Sequence, residues 1–230
     1  MTQDQWTAVD EFVTDLVVHP EQALDSALTA SAEAGMPPIA VSAPQGKLLA
    51  ILARMIGAEK ILEIGTLGAY STIWLARALP AGGRLISLEV DPKHADVARK
   101  NLAGAGLDRV AEVRLGPALD TLPALGPEGP FDLTFIDADK ANIPAYFDWA
   151  VRLSRPGSVV VVDNVVRNGA LIDAATTDEN VKGVRRLHEA LASDRRVTAT
   201  TIQTVGSKGY DGFTIALVSG PGPTGAPNSL

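Results

Sequence analysis

Glu63-Ile64-Gly65-Thr66-Leu67-Gly68 lies between an apolar run, Lys60–Ile64, and a segment of helical character, Ser71–Leu79. A strand that ends on Glu-Ile-Gly and passes through a second glycine into a helix lets backbone come close to whatever sits on the turn. The helix that follows presents N–H groups with no partner of their own. In an open parallel sheet, ligands settle outside the carboxyl ends of the strands, where the chain order reverses. The hexapeptide therefore reads as a cofactor loop, and the fold around it as α/β.

On both sides of this loop the pattern agrees. Downstream, apolar runs at Arg84–Leu88, Ala111–Leu115, Leu133–Ile136 and Val159–Val162 alternate with helical segments at Pro92–Ala105, Ala118–Leu125 and Ala141–Leu153. Strand-helix alternation predicts a Rossmann-like, doubly wound, mostly parallel sheet. Val159-Val160-Val161-Val162 is apolar at every position, as a strand covered on both faces should be. A helix near Asn180–Ala192 leads to two strand-like runs, Arg196–Gln203 and Gly212–Val218, joined by a turn containing Gly206, Gly209 and Asp211. With only a turn between them they must pair antiparallel, completing a seven-stranded sheet.

Upstream, Trp6, Val9, Phe12, Val13 and Leu16 recur at helical spacing, and two more helices are expected over Pro20–Ala34 and Pro44–Gly57. These helices are expected to cap one side of the sheet or to form a partner surface. Residues 1–218 thus read as a single domain, with helices over 1–57 and the alternating core over 58–218. The Gly- and Pro-rich stretch Ser219–Leu230 reads as a flexible tail.

Composition narrows the function classes. The 230 residues carry a formal charge of −7, which argues against broad binding to nucleic acid. Arg185 and Arg186 are expected on a solvated helix face. There is no cysteine, so disulfides, thiolate metal sites and cysteine nucleophiles are excluded. No signal peptide and no membrane-spanning apolar run is evident, and a cytoplasmic enzyme is the expectation.

The loop's own chemistry narrows the cofactor. A dinucleotide site wants G-x-G-x-x-G around a pyrophosphate, whereas Gly65 and Gly68 have no third glycine and a carboxylate, Glu63, leads them. That acid would repel a pyrophosphate and suits a cofactor with a positive or amino group, which favours S-adenosylmethionine over a nicotinamide cofactor. Glu89, at the end of the next strand, is placed to accept hydrogen bonds from a ribose diol.

A second group of polar residues ends later strands: Asp137-Ala138-Asp139-Lys140 after Phe135-Ile136, and Asp163-Asn164 after Val161-Val162. If those strands are neighbours, Asp137, Asp163 and Asn164 converge as oxygen ligands for a hard divalent cation such as Mg²⁺. Asp139 reads better as a helix N-cap than as a ligand. Lys140 is either surface, electrostatic support or a general base. His19, His94 and His188 are scattered, which makes a histidine metal cluster improbable.

Taken together these motifs resemble the cation-dependent O-methyltransferases of the caffeoyl-CoA and catechol type, especially small bacterial ones. The resemblance runs from about Pro38 to Val218 and rests on Ala40–Gly46, Glu63–Ser71, Leu88–Asp91, Gly116–Leu119, Phe135–Lys140 and Val162–Asn164. It implies that Glu63, Gly65 and Ser71 hold the methionine end of S-adenosylmethionine and that Glu89 binds the ribose. It further implies that Gly116 and Ala118 flank the adenine, and that Val41 and Ser42 cover the cofactor, with Asp137 also beside it. Asp137, Asp163 and Asn164 would hold Mg²⁺, or another divalent ion such as Mn²⁺ or Ca²⁺, and Lys140 would act with Asp137 in catalysis. The implied partners are a small aromatic hydroxyl substrate, with vicinal hydroxyls preferred, and a second copy in a homodimer; no nucleic acid or membrane is involved. The sequence departs from the family in Gly68-Ala69-Tyr70, where relatives often place another glycine, and in Arg167–Asn180, which should border the acceptor pocket. No clear counterpart of the basic residues that bind coenzyme A phosphates is present. Two other readings are a nicotinamide-dependent oxidoreductase on a similar fold and a non-catalytic ligand-binding module.

Overall fold

The structure is a computed structural model that describes residues 2–219; the expected tail beyond Ser219 lies outside them. Three helices come first: α1 (Gln3–Val13), extended by a π-helical turn over Thr14–Val18, then α2 (Gln22–Glu33) and α3 (Ala43–Met55). Ser42 caps α3 by accepting the Gln45 N–H at 3.4 Å, with Pro44 in the first turn, where its missing N–H costs nothing.

Seven strands follow, with helices between them. They are β1 (Lys60–Ile64), β2 (Arg84–Glu89), β3 (Ala111–Leu115), β4 (Phe131–Ile136), β5 (Ser154–Asp163), β6 (Val197–Gly206) and β7 (Gly209–Val218). The intervening helices are α4 (Tyr70–Ala76), α5 (Pro92–Gly104), α6 (Ala118–Thr121), α7 (Ile143–Arg152) and α8 (Glu179–Leu191). The sheet order is β3-β2-β1-β4-β5-β7-β6, parallel through β5 and antiparallel across the last two pairs. The chain order reverses between β1 and β4. The strand ends that carry Gly65 and Asp137 are therefore the lips of the crevice where an α/β sheet binds its ligand.

Alternation along the strands divides the core in two. Ile61, Leu133, Phe135, Val159 and Val161 face α3, α4 and α5, whereas Leu62, Ile64, Ile136, Val160 and Val162 face α7 and α8. This is why the strands read as unbroken apolar runs: each face has its own helical cover.

Three details differ from the sequence reading. Strand β5 starts at Ser154, ahead of the valine run, because Ser154 already pairs with Phe131; the register then shifts before Leu133 meets Val159. The hairpin turn is Ser207-Lys208 alone, so that Gly206 and Gly209 pair and Asp211 lies within β7. Helix α1 buries none of its residues. It is tied to the β6–β7 turn by Gln3 Nε2 donating to Gly206 O at 2.9 Å and by Ser207 N donating to Asp10 at 2.7 Å. Its apolar side, with Val9 and Phe12, faces outward together with Leu16 and Val17 of the π-helical turn.

Candidate active site

A cavity of about 780 Å³ opens at the carboxyl ends of β1, β2 and β4. Val41, Gly65, Ser71, Glu89, Gly116 and Ala118 line it, as do Asp137, Lys140 and Asn164. A smaller hollow of about 300 Å³ lies at the amino-terminal ends of β1 and β2 and carries none of these residues.

The first strand's loop is built by close approach. Gly65 has φ +98°, and a Cβ there would stand 2.0 Å from the Asp137 carbonyl oxygen. Its N–H donates to Leu88 O at 2.9 Å, while Asp137 N donates to Ile64 O at 2.8 Å, so the three strand ends are laced together. Gly68 serves a different contact, since a Cβ there would meet Ser31 Oγ of α2 at 2.0 Å. Gly68 therefore lets the N-terminal helix pack on the loop and does not approach the cavity. Ala69 takes the left-handed conformation, φ 66°, at the start of α4. A left-handed backbone of this kind is the one glycine adopts at least cost, and alanine, the smallest side chain, takes it here.

Glu63 is fully buried and does not line the cavity. Its carboxylate accepts hydrogen bonds from Ser71 Oγ (2.6 Å), Thr72 Oγ1 (2.5 Å) and Ser87 Oγ (2.6 Å). The Glu63 carboxylate thus faces these hydroxyls and not the cavity, and Ser71, one of its donors, does line the cavity. Burial pushes the Glu63 carboxyl up to about 7, against the three hydroxyl donors that pull it down.

Glu89 does reach the cavity. Its two oxygens accept from the N–H groups of Leu67 (2.8 Å), Val90 and Asp91 (both 2.9 Å), and from Thr66 at a longer 3.3 Å. All four lone-pair sites are engaged, so a further donor is accommodated most easily in place of the Thr66 contact. Neighbouring His94 approaches Glu89 to 3.9 Å. Gly116, φ +143°, donates its N–H to Glu89 O at 2.8 Å, which brings the β3 end beside the same wall.

The polar residues after β4 and β5 also come together. Ile136 pairs with Val162, so Asp137 and Asp163 extend adjacent strand ends. Lys140, itself buried, donates from Nζ to Asp137 Oδ1 at 2.9 Å. Burial and the Asp137 charge push the Asp163 carboxyl up to about 7, while Lys140 acts in the opposite sense. Asn164 follows with φ 54°, and its N–H donates to Asp163 Oδ1 at 2.8 Å. Two carboxylates and an amide form a hard-oxygen set short of positive charge. Among the described residues there is no group of three His, Cys, Asp or Glu side chains arranged for a metal ion. Asp139 is the cap it was read to be, accepting from Asn142 N at 3.2 Å and Asn142 Nδ2 at 2.7 Å.

Several participants escaped the sequence reading. Tyr146 of α7 lines the cavity and donates its hydroxyl to Asp139. Arg186 is exposed, as expected, and donates to Ala141 O at 3.2 Å, whereas Arg185 is half-buried and donates to Leu171 O at 2.6 Å, so that α8 is tied to both loops beside the site. Gly183 of α8 lies against the Lys140 carbonyl, 2.0 Å from where a Cβ would be. No helix among the described residues is long and apolar enough to cross a membrane.

The fold and the crevice define the class: a Rossmann-like methyltransferase. An O-methyltransferase family model matches residues 17–217. The chain is 50% identical to a catechol O-methyltransferase of Niastella koreensis, covering 95% of this chain and 100% of that one. It is 53% identical to a catechol O-methyltransferase of Mycobacterium tuberculosis, over 91% and 94% of the two chains. Among solved structures, the O-methyltransferase TomG of Streptomyces achromogenes in complex with SAM (S-adenosylmethionine) superposes with a TM-score of 0.93 at 55% identity, covering 96% of this chain and all of the other. An O-methyltransferase of Bacillus cereus in complex with SAH gives a TM-score of 0.93 at 52% identity, over 95% and 100%. The chain belongs to the O-methyltransferase family of catechol and caffeoyl-CoA type and is an S-adenosylmethionine-dependent enzyme. The oxidoreductase and non-catalytic readings are set aside by that membership.

Proposed function

We infer that the enzyme transfers a methyl group to one hydroxyl of a vicinal dihydroxy aromatic molecule and that it needs a divalent cation. The observation that carries this reading is the convergence of Asp137, Lys140 and Asn164 on the cavity, with Asp163 buried beside them. S-adenosylmethionine is proposed to run from Gly116 and Ala118, at the adenine, past Glu89 at the ribose, to Gly65 and Ser71, under Val41. Glu63 would act on it only through Ser71.

Asp137, Asp163 and Asn164 are the proposed holders of Mg²⁺, with Mn²⁺ or Ca²⁺ as alternatives, and they fit because hard oxygen donors suit such ions. The ion would supply charge that favours the phenolate, since a free phenol, with a pKa of about 10, is scarcely ionised at neutral pH. Lys140, positioned by its contact with Asp137, would take the hydroxyl proton in its neutral amine form and become the ammonium that pairs with that carboxylate. The phenolate oxygen then forms its bond to the methyl carbon as the carbon–sulfur bond breaks, leaving the thioether. Walls of the cavity hold oxygen and carbon at about 3–3.5 Å, where proximity lowers the barrier. The outward apolar face of α1 is proposed as the contact of a homodimer, and the cytoplasm as its location.

A panel of catechols, flavonoids, hydroxycinnamates and simple monophenols, assayed with methyl-labelled cofactor, tests the acceptor class. Label should enter vicinal diols at least ten times faster than matched monophenols. Equal rates would refute the diol requirement.

A further inference from the structure

Five arginines of the described residues are half-buried: Arg77, Arg114, Arg167, Arg185 and Arg196. Arg77 meets Glu21, Arg114 meets Glu112 and Glu128, Arg196 meets Asp194 and Asp148, and Arg185 donates to a carbonyl. Arg167 has no side-chain partner, and its Nε–H is buried with no acceptor. A buried donor left without an acceptor is costly, and more so when it carries charge. The side chain lines the cavity beside Asn164.

The surrounding chain holds this residue firmly without using its charge. Asn164, Arg167 and Asn168 all have positive φ (54°, 57° and 54°), a sequence of left-handed residues that needs external support. Asp211 supplies it. One of its oxygens accepts from the N–H groups of Val166 (2.9 Å), Arg167 (2.8 Å) and Gly212 (3.0 Å). The nearby carboxylate thus binds Arg167's backbone and leaves its guanidinium free. The other acids on the cavity wall are also engaged: Asp137 by Lys140, Asp139 by Asn142 and Tyr146, Asp91 by its helix, and Glu89 by the loop.

Sheet order says which ligand this cation faces. Gly116, Glu89 and Gly65 follow β3, β2 and β1, whereas Arg167 follows β5, on the far side of Asp137 from them. The geometry points to Arg167 as a specificity-determining residue that receives a carboxylate of the methyl acceptor, so that the enzyme's substrates are dihydroxy aromatic acids. This rests on the catechol reading above. The guanidinium's Nη–H groups lie in one plane and form a fork that matches the two oxygens of a carboxylate. In a chain of net charge −7, an anionic substrate needs such a local cation to enter.

The test pairs 3,4-dihydroxybenzoate with its methyl ester, which keeps the diol and loses the charge. The wild-type enzyme should favour the acid by tenfold or more in kcat/KM. Arg167→Asn removes the charge with a residue that tolerates positive φ, and should bring the acid-to-ester ratio close to one; Arg167→Lys should retain part of the preference. Calorimetric titration of S-adenosylmethionine into each variant reports folding. Equal use of acid and ester by the wild type overturns the proposal while leaving the catechol reading intact. So does a preference that survives in Arg167→Asn, or a variant that loses cofactor affinity with the ratio unchanged, which would give the cation to the cofactor's own carboxylate. No turnover of either diol overturns both readings.

Discussion

Glu63 and Asp163 are acids whose surroundings oppose their charge, each held near 7 mainly by burial. A carboxyl raised in the folded state stabilises most below its unfolded pKa of about 4, and that contribution is lost as pH rises through about 7. In chelator, the melting temperature should therefore fall between pH 5 and pH 8, and Glu63→Gln, neutral throughout, should fall less steeply by calorimetry. Parallel curves would remove Glu63 from the account. Lys140→Met should lower kcat by about 100-fold or more, the usual scale for a lost general base, and leave S-adenosylmethionine affinity within about twofold by titration; an unchanged kcat would take Lys140 out of the proton transfer. Single residues were legible where the partner is close in sequence. Asp139 read as a cap because it stands between a strand end and the helix it caps. The donors to Glu63 were not legible, because Ser71, Thr72 and Ser87 come from two further elements. Nor was Arg167, whose lack of a partner is a property of the assembled fold.

At the scale of elements, strands covered on both faces announced themselves as apolar runs, and β1 and β3 have the expected bounds. What the runs concealed was how strand ends support the site. Helix α8 shows this. Its length was readable, yet its part in holding the Lys140 turn depends on Gly183, whose missing side chain admits the Lys140 carbonyl. Gly183→Ala should cost about 1–3 kcal/mol by denaturant unfolding, as overpacking usually does, and depress kcat. Lys182→Ala, whose ammonium pairs with Glu179 on the surface, is the matched control, and equal behaviour of the two would show that the close approach is unimportant. The expected apolar run starts at Val159, whereas β5 runs from Ser154 through Pro156-Gly157 with a register shift.

For the whole molecule, topology was the most readable feature, because β-α alternation admits few arrangements and the switch point then places the crevice. Helix α1 was less so. Its apolar spacing is compatible with a core or with a partner, and the structure leaves Phe12 65% exposed. Phe12→Glu should turn a dimer into a monomer in sedimentation with the fold retained, and a wild-type monomer at micromolar concentration would refute the proposed contact. If the cavity's acids act on a diol through a bound cation, activity depends on that cation. Labelled methyl transfer to a catechol, measured after exhaustive EDTA treatment and again with excess Mg²⁺, should fall at least a hundredfold and then recover. Full turnover in chelator would contradict it.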